Sequence, residues 1–117
     1  MKKTGMDMGL TEEEKQALLK IARESIETEL GGKKPKGSVQ KGVLEEKRGA
    51  FVSLKRRGKL RGCIGFIEAR KPLVRIVEEM AVAAAFQDPR FPPLRKEELK
   101  ELKVEISVLT PLRRVAD

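Results

Sequence analysis

Histidine, tryptophan, tyrosine and asparagine are all missing from this sequence, and cysteine occurs once, at position 63. Without imidazole there can be no Cys–His or Ser–His pair, the usual means of activating a nucleophile. One thiol and no imidazole also leave no zinc site, although carboxylates could still hold magnesium or calcium. We therefore expect neither a metal nor a cofactor. A lone cysteine cannot close an internal disulfide, which fits a reducing compartment. No run approaches the roughly 20 apolar residues that span a bilayer, and the basic start Met1-Lys2-Lys3 leads into Gly5-Met6-Asp7, not into a signal-peptide core. The expectation is a cytoplasmic protein without a membrane anchor. Aromatic residues are only Phe51, Phe66, Phe86 and Phe91, too few for the stacking platforms of usual single-strand nucleic-acid binders.

What the sequence does contain is charge. Asp, Glu, Lys and Arg make up 38% of the 117 residues. Abundant Lys, Glu and Arg with no labile asparagine match proteins built for high temperature. The net charge of +8 is unevenly placed: residues 49–71 hold seven Lys or Arg against one Glu, while residues 72–117 are balanced at eight against eight. The excess centres on Lys55, Arg56, Arg57, Lys59 and Arg61. Such a field attracts phosphates, carboxylates, nucleic acid or an acidic partner. Equally, a hairpin edge carries Lys and Arg to stay soluble and unpaired.

Thr11-Glu12-Glu13-Glu14 has the spacing of a capping box, and Leu18, Ile21, Ala22, Ile26 and Leu30 form one apolar stripe, so a helix is expected over about 11–30. Gly31-Gly32 ends it, and the Gly-, Lys- and Pro-rich residues 31–48 read as a mobile loop with one turn near Val43-Leu44. A hairpin is expected over about 50–66, turning at Gly58. Pro72 opens a second helix over about 72–87, whose buried face runs from Leu73 to Phe86. The prolines of "DPRFPPL" (88–94) make a stiff loop. A short helix follows from Lys96, then a strand over about 103–110 with Val104, Ile106 and Val108 alternating. This order argues for a single α+β domain over 1–117 with a mainly antiparallel sheet packed by helices.

The motif "LRGCIG" (60–65) carries the chemistry. In a regular strand Arg61 and Cys63 share one face while Leu60, Gly62 and Ile64 share the other. A guanidinium beside a sulfur stabilises the thiolate, which makes Cys63 a candidate nucleophile, with Gly65 clearing space beside it. The alternative is a small buried hydrophobe, with Leu60 and Ile64 in the core and Gly62 opening a gap for the alanine-rich helix at 81–85. Arg61 and Arg90 are the preferred anion contacts, because a planar fork grips carboxylate or phosphate at two points. The candidate ligand-binding set is Arg61, Gly62, Gly65, Asp88 and Arg90.

Taken together, "GAFVSLKRRGKLRGCIG" (49–65), "AFQDPRFPPL" (85–94) and "VEISVLTPL" (104–112) resemble the AMMECR domain family. The resemblance implies a cytoplasmic or nuclear α+β domain, found from archaea to animals, with a cleft bordered by the six-residue motif. It implies no settled activity. It points to a regulatory or nucleic-acid-related role, and microbial members are associated with a Memo-like protein and a radical-SAM-type enzyme, which suggests a protein-modification system. Family members run on beyond the "VLTP" strand, so the expectation here is the family's N-terminal portion without its C-terminal part, with an exposed sheet edge that favours self-association. The leading expectation is a non-catalytic binding or regulatory module whose basic site meets a protein partner or a small anionic ligand. A thiol-dependent enzyme using Cys63 and a nucleic-acid-binding module using residues 55–61 are the alternatives.

Overall fold

A computed structural model describes residues 10–32 and 42–109. The described elements are α1 (Glu12–Glu29), β1 (Ala50–Arg56), β2 (Lys59–Phe66), α2 (Leu73–Phe86) and β3 (Leu102–Val108), with 3-10 turns at Gly42–Glu45 and Lys96–Glu101. The three strands form one antiparallel sheet in the order β2-β1-β3, so the fold is α+β as the element order implies.

α1 begins where its capping box places it. The Glu14 amide donates to Thr11 Oγ1 at 3.0 Å, and the Thr11 amide donates to Glu14 Oε1 at 2.8 Å. Leu18, Ala22 and Ile26 are its buried stripe. Pro72 caps α2 from outside, and Leu73, Ile76, Val77, Ala81, Ala84 and Ala85 face inward. The helices cover the sheet face formed by Ala50, Val52, Leu54 and Val108, all 1% exposed or less. Burial of these aliphatic chains is the main force holding the two layers together.

On the other sheet face stand Phe51, Ser53, Lys55, Cys63, Glu105 and Ser107, each half-buried. The hairpin turns through Arg57 (φ 54°) and Gly58 (φ 79°), a pair of left-handed residues whose twist matches that of the strands. Gly58 is as expected, whereas Arg57 adopts a conformation ordinarily left to glycine or asparagine. Of the 31–48 segment, residues 33–41 lie outside the described residues. Residues 42–48 make the 3-10 turn near Val43-Leu44 and a bridge between Lys47 and Pro72.

One feature of the register overturns an expectation. Leu54 pairs with Gly62 and Lys55 with Leu60, which leaves Arg61 as an extra residue in a β-bulge. The alternation breaks there. Leu60, expected in the core, is 41% exposed, and Arg61 is turned inward, away from the face that carries Cys63. Gly62 does open the gap expected of it, since an added Cβ would lie 2.1 Å from the Ala84 carbonyl oxygen of α2.

Candidate functional site around Cys63 and Arg90

Cys63 sits in the middle of β2 with Ser53 as its cross-strand partner, and the Ser53 Oγ and Cys63 Sγ atoms are 3.1 Å apart. In this non-hydrogen-bonded pair the backbone groups of Cys63 point away from β1 towards the sheet edge. They are met there by the loop after α2. The Cys63 amide donates to Asp88 Oδ2 at 3.0 Å, and Arg90 Nη2 lies 3.5 Å from the Cys63 carbonyl oxygen. The prolines of the loop set its path, and Asp88 closes on itself: Oδ1 accepts from the Arg90 amide and Nε, and Oδ2 from Arg90 Nη2 at 2.8 Å. This loop stands in for a fourth strand at the middle of β2.

Asp88 is buried, and its carboxyl is held well below the usual carboxylate range, first by the Arg90 side chain and then by the Arg90 and Cys63 amides. The same contacts raise the Arg90 guanidinium, with the Cys63 sulfur a smaller contributor. Arg90 nevertheless keeps 57% of its side chain exposed and lies over the Phe91 ring at 5.4 Å. An exposed cation is thus fixed beside Cys63 by a buried anion.

The partner expected for the sulfur, Arg61, is elsewhere. Its Nε and Nη2 donate to Glu98 Oε2 and Oε1 at 2.9 and 3.0 Å, a buried two-point pair. Glu98 also accepts the Arg95 amide, and Arg61 foremost holds its carboxyl down at about 2. Arg61 Nη1 is buried with no hydrogen-bond partner. The bulge is the physical reason that Arg61 and Cys63 do not share a face. Gly65 likewise leaves no open space beside the sulfur, because the Phe51 ring lies over it, 2.2 Å from where a Cβ would stand.

Carboxylates largely answer the basic hairpin. Arg56 and Arg57 share Glu101 at 2.7 and 2.8 Å, and Lys55 reaches Glu105 at 3.4 Å. The two arginines lower the Glu101 carboxyl, Arg57 the more. Lys59 has no ion pair among the described residues. Of the candidate ligand-binding set, the structure brings Asp88 and Arg90 to Cys63, seats Gly62 and Gly65 against protein atoms, and sends Arg61 to Glu98. The residues missed in the sequence are Ser53, Glu98 and Glu101. No local pattern in the sequence marks them: Glu98 and Glu101 stand in a short charged segment with Glu97, and Ser53 in a strand of ordinary alternation.

No group of three potential metal-ligating side chains occurs among the described residues. None of the described helices is long and apolar enough to cross a membrane.

An antiparallel sheet with helices on one face and a glycine-flanked cysteine at its edge defines an α+β domain of a recognisable class. The pattern of the AMMECR1 family matches residues 19–117, and the chain belongs to that family. It is 47% identical over 106 residues to a protein from Methanothermobacter thermautotrophicus, which covers 87% of this chain and 54% of that one. A protein from Sulfolobus acidocaldarius is 47% identical over 98 residues, 80% of this chain and 43% of the relative. The crystal structure of the uncharacterized protein PH0010 from Pyrococcus horikoshii superposes with a TM-score of 0.79 at 41% identity, covering 87% of this chain and 54% of that chain. The chain thus spans about half the length of these relatives.

Proposed function

We propose that this domain is a non-catalytic binding module whose sheet face around Cys63 receives an anionic group, with Arg90 as the principal contact. One observation carries the reading: the Asp88 carboxylate, itself buried, holds an exposed guanidinium against the backbone of Cys63. A cation already fixed in place loses little conformational freedom on binding, so even a single charge-assisted hydrogen bond retains most of its value. Half-buried Ser53 and Ser107 supply hydroxyls on the same face. The face is mixed, with the Phe51 ring beside the Ser53 and Ser107 hydroxyls, which suits a carboxylate of a protein partner.

The test is protection of the Cys63 thiol from iodoacetamide, with inorganic phosphate as the small-anion probe and a glutamate-rich peptide as the partner probe. Protection by the peptide, weakened about tenfold in Arg90→Gln, is the expected result. Protection by phosphate alone would point to a small ligand. Absence of protection by either, or protection indifferent to Arg90, would end the proposal. The second reading is thiol chemistry at Cys63, favoured by the Ser53 hydroxyl at 3.1 Å from the sulfur. It requires a substrate-derived adduct on Cys63, detectable by mass spectrometry of the intact protein and lost in Cys63→Ser.

A further inference from the structure

We infer, on the footing of the binding site proposed above, that residues 57–61 form a two-state register switch: an acidic segment bound at Cys63 and Arg90 draws Arg61 out of its pair with Glu98 and onto the face that carries Cys63. In the second register the bulge is gone, Lys55 faces Arg61, Arg56 faces Leu60, and the turn runs over residues 57–59.

The observed register carries costs that fall together in this segment. The bulge leaves Arg61 unpaired in the ladder. Arg57 is held at φ 54°, a left-handed conformation that a long side chain seldom adopts. Arg61 Nη1 is already enclosed, and it has no hydrogen-bond partner among the described residues. Strain concentrated in this way marks an element with a competing arrangement.

The second register relieves these costs. A three-residue hairpin loop takes its left-handed residue at the third position, Lys59, which frees Arg57. Restored alternation turns Leu60 to the side of Leu54 and Gly62, and Arg61 to the side of Ser53 and Cys63. Glu98 is not orphaned by the change, since Arg56 Nη1 and Arg95 Nε already stand 3.5 and 4.0 Å from its carboxylate.

Without a ligand the observed register wins. Gly58 stands where a two-residue turn needs its second left-handed residue, and Arg61 keeps two bonds to Glu98. The second register sets Arg61 directly across from Lys55, a repulsive pair of which Glu105, 3.4 Å from Lys55, offsets only one charge. A carboxylate placed between the two cations removes that repulsion and shifts the balance. Arg61 and Cys63 then lie about 7 Å apart along the strand, the separation of alternate residues in an extended peptide. A peptide with carboxylates on alternate residues can therefore meet Arg90 with one and Arg61 with the next.

Substitutions in the turn test the switch without touching the site. Asparagine takes the left-handed conformation readily and glutamine does not, so Arg57→Asn holds the two-residue turn, while Arg57→Gln removes the same charge without that effect. By fluorescence anisotropy, Arg57→Asn should bind a peptide of alternating glutamate and serine about fivefold more weakly than Arg57→Gln. Lys59→Gly should bind it about fivefold more tightly than Lys59→Gln. In the wild type, followed by NMR, saturation with the peptide should move the cross-strand contact of the Lys55 α-proton from Leu60 to Arg61. Binding that Arg90→Gln weakens, but with that contact unmoved, overturns the switch and leaves the site standing. No binding, or binding indifferent to Arg90→Gln, ends the site and the switch together.

Discussion

The Asp88 carboxylate accepts the Cys63 amide at 3.0 Å across 25 residues of sequence, and through Arg90 it also reaches the neighbourhood of the Cys63 carbonyl. A side chain thus performs at the β2 edge what a neighbouring strand's backbone performs elsewhere. An unpaired buried amide is costly, which gives the aspartate a structural as well as an electrostatic role.

Removing the carboxylate separates these roles. In Asp88→Ala the Cys63 amide loses its acceptor and Arg90 loses its anchor, so hydrogen exchange at Cys63 should accelerate at least about tenfold. Arg90→Gln leaves Asp88 in place and should leave that amide protected. Amide exchange followed by NMR on both variants checks the difference. Equal acceleration in the two would assign the protection to Arg90 instead.

Gly62 and Gly65 flank the same cysteine but answer to different neighbours. A Cβ on Gly62 meets the backbone carbonyl of Ala84 in α2, which cannot move without displacing the helix, whereas a Cβ on Gly65 meets the Phe51 ring, which can swing aside. Gly62→Ala should therefore cost about 2–4 kcal/mol and Gly65→Ala about 1 kcal/mol. Urea denaturation of the two variants gives the comparison. Similar losses would show that Phe51 is as rigidly held as the helix.

These contrasts separate the local signals in the sequence from those that only the fold creates. The helices are legible because their signals are local: Thr11 and Glu14 three residues apart, and aliphatic residues at intervals of three and four. The hairpin and β3 are legible from alternation and from Gly58. The site is less so. Strict alternation puts Arg61 beside Cys63, and nothing in residues 59–66 marks the bulge that separates them. The acid that captures Arg61 lies 37 residues further on, in a short charged segment where Glu97, Glu98 and Glu101 look alike until the turn selects Glu98 to face inward. Asp88 and Arg90 are recognisable as a pair through the stiffness of their proline-rich loop, although the strand edge they occupy is not.

The paired state of the hairpin limits its use as a nucleic-acid surface. Arg56 and Arg57 are engaged by Glu101, and Lys55 by Glu105. Any binding to duplex DNA or RNA should show a log–log salt slope no steeper than about −2, far from that of a protein releasing many counterions. Glu101→Gln should steepen the slope by freeing two guanidinium groups. A slope near −5 for the wild type would revive residues 55–61 as an electrostatic binding site, and fluorescence anisotropy across a salt series measures it.

The Arg61–Glu98 pair makes a separate prediction about acid. Glu98 has an ordinary value of 4.5 and is lowered to about 2 in the fold, chiefly by Arg61. A carboxylate lowered by folding binds protons more readily when unfolded, so its contribution to stability is complete above pH 4.5 and is lost as pH falls from 4.5 towards 2. Asp88, lowered by Arg90, acts in the same direction at still lower pH. Glu98→Gln should cost about 3 kcal/mol at neutral pH, because it leaves the Arg61 charge buried without its counter-ion, and should flatten the stability profile between pH 4.5 and 2. Replacing both partners together, as Arg61→Met with Glu98→Leu, should recover much of that loss, since two alkyl chains remove the uncompensated charge and also the orphaned Arg61 Nη1. Denaturant titrations of the three proteins across that pH range decide the matter: a double variant no better than Glu98→Gln would mean that the bulge itself, not charge compensation, depends on this pair.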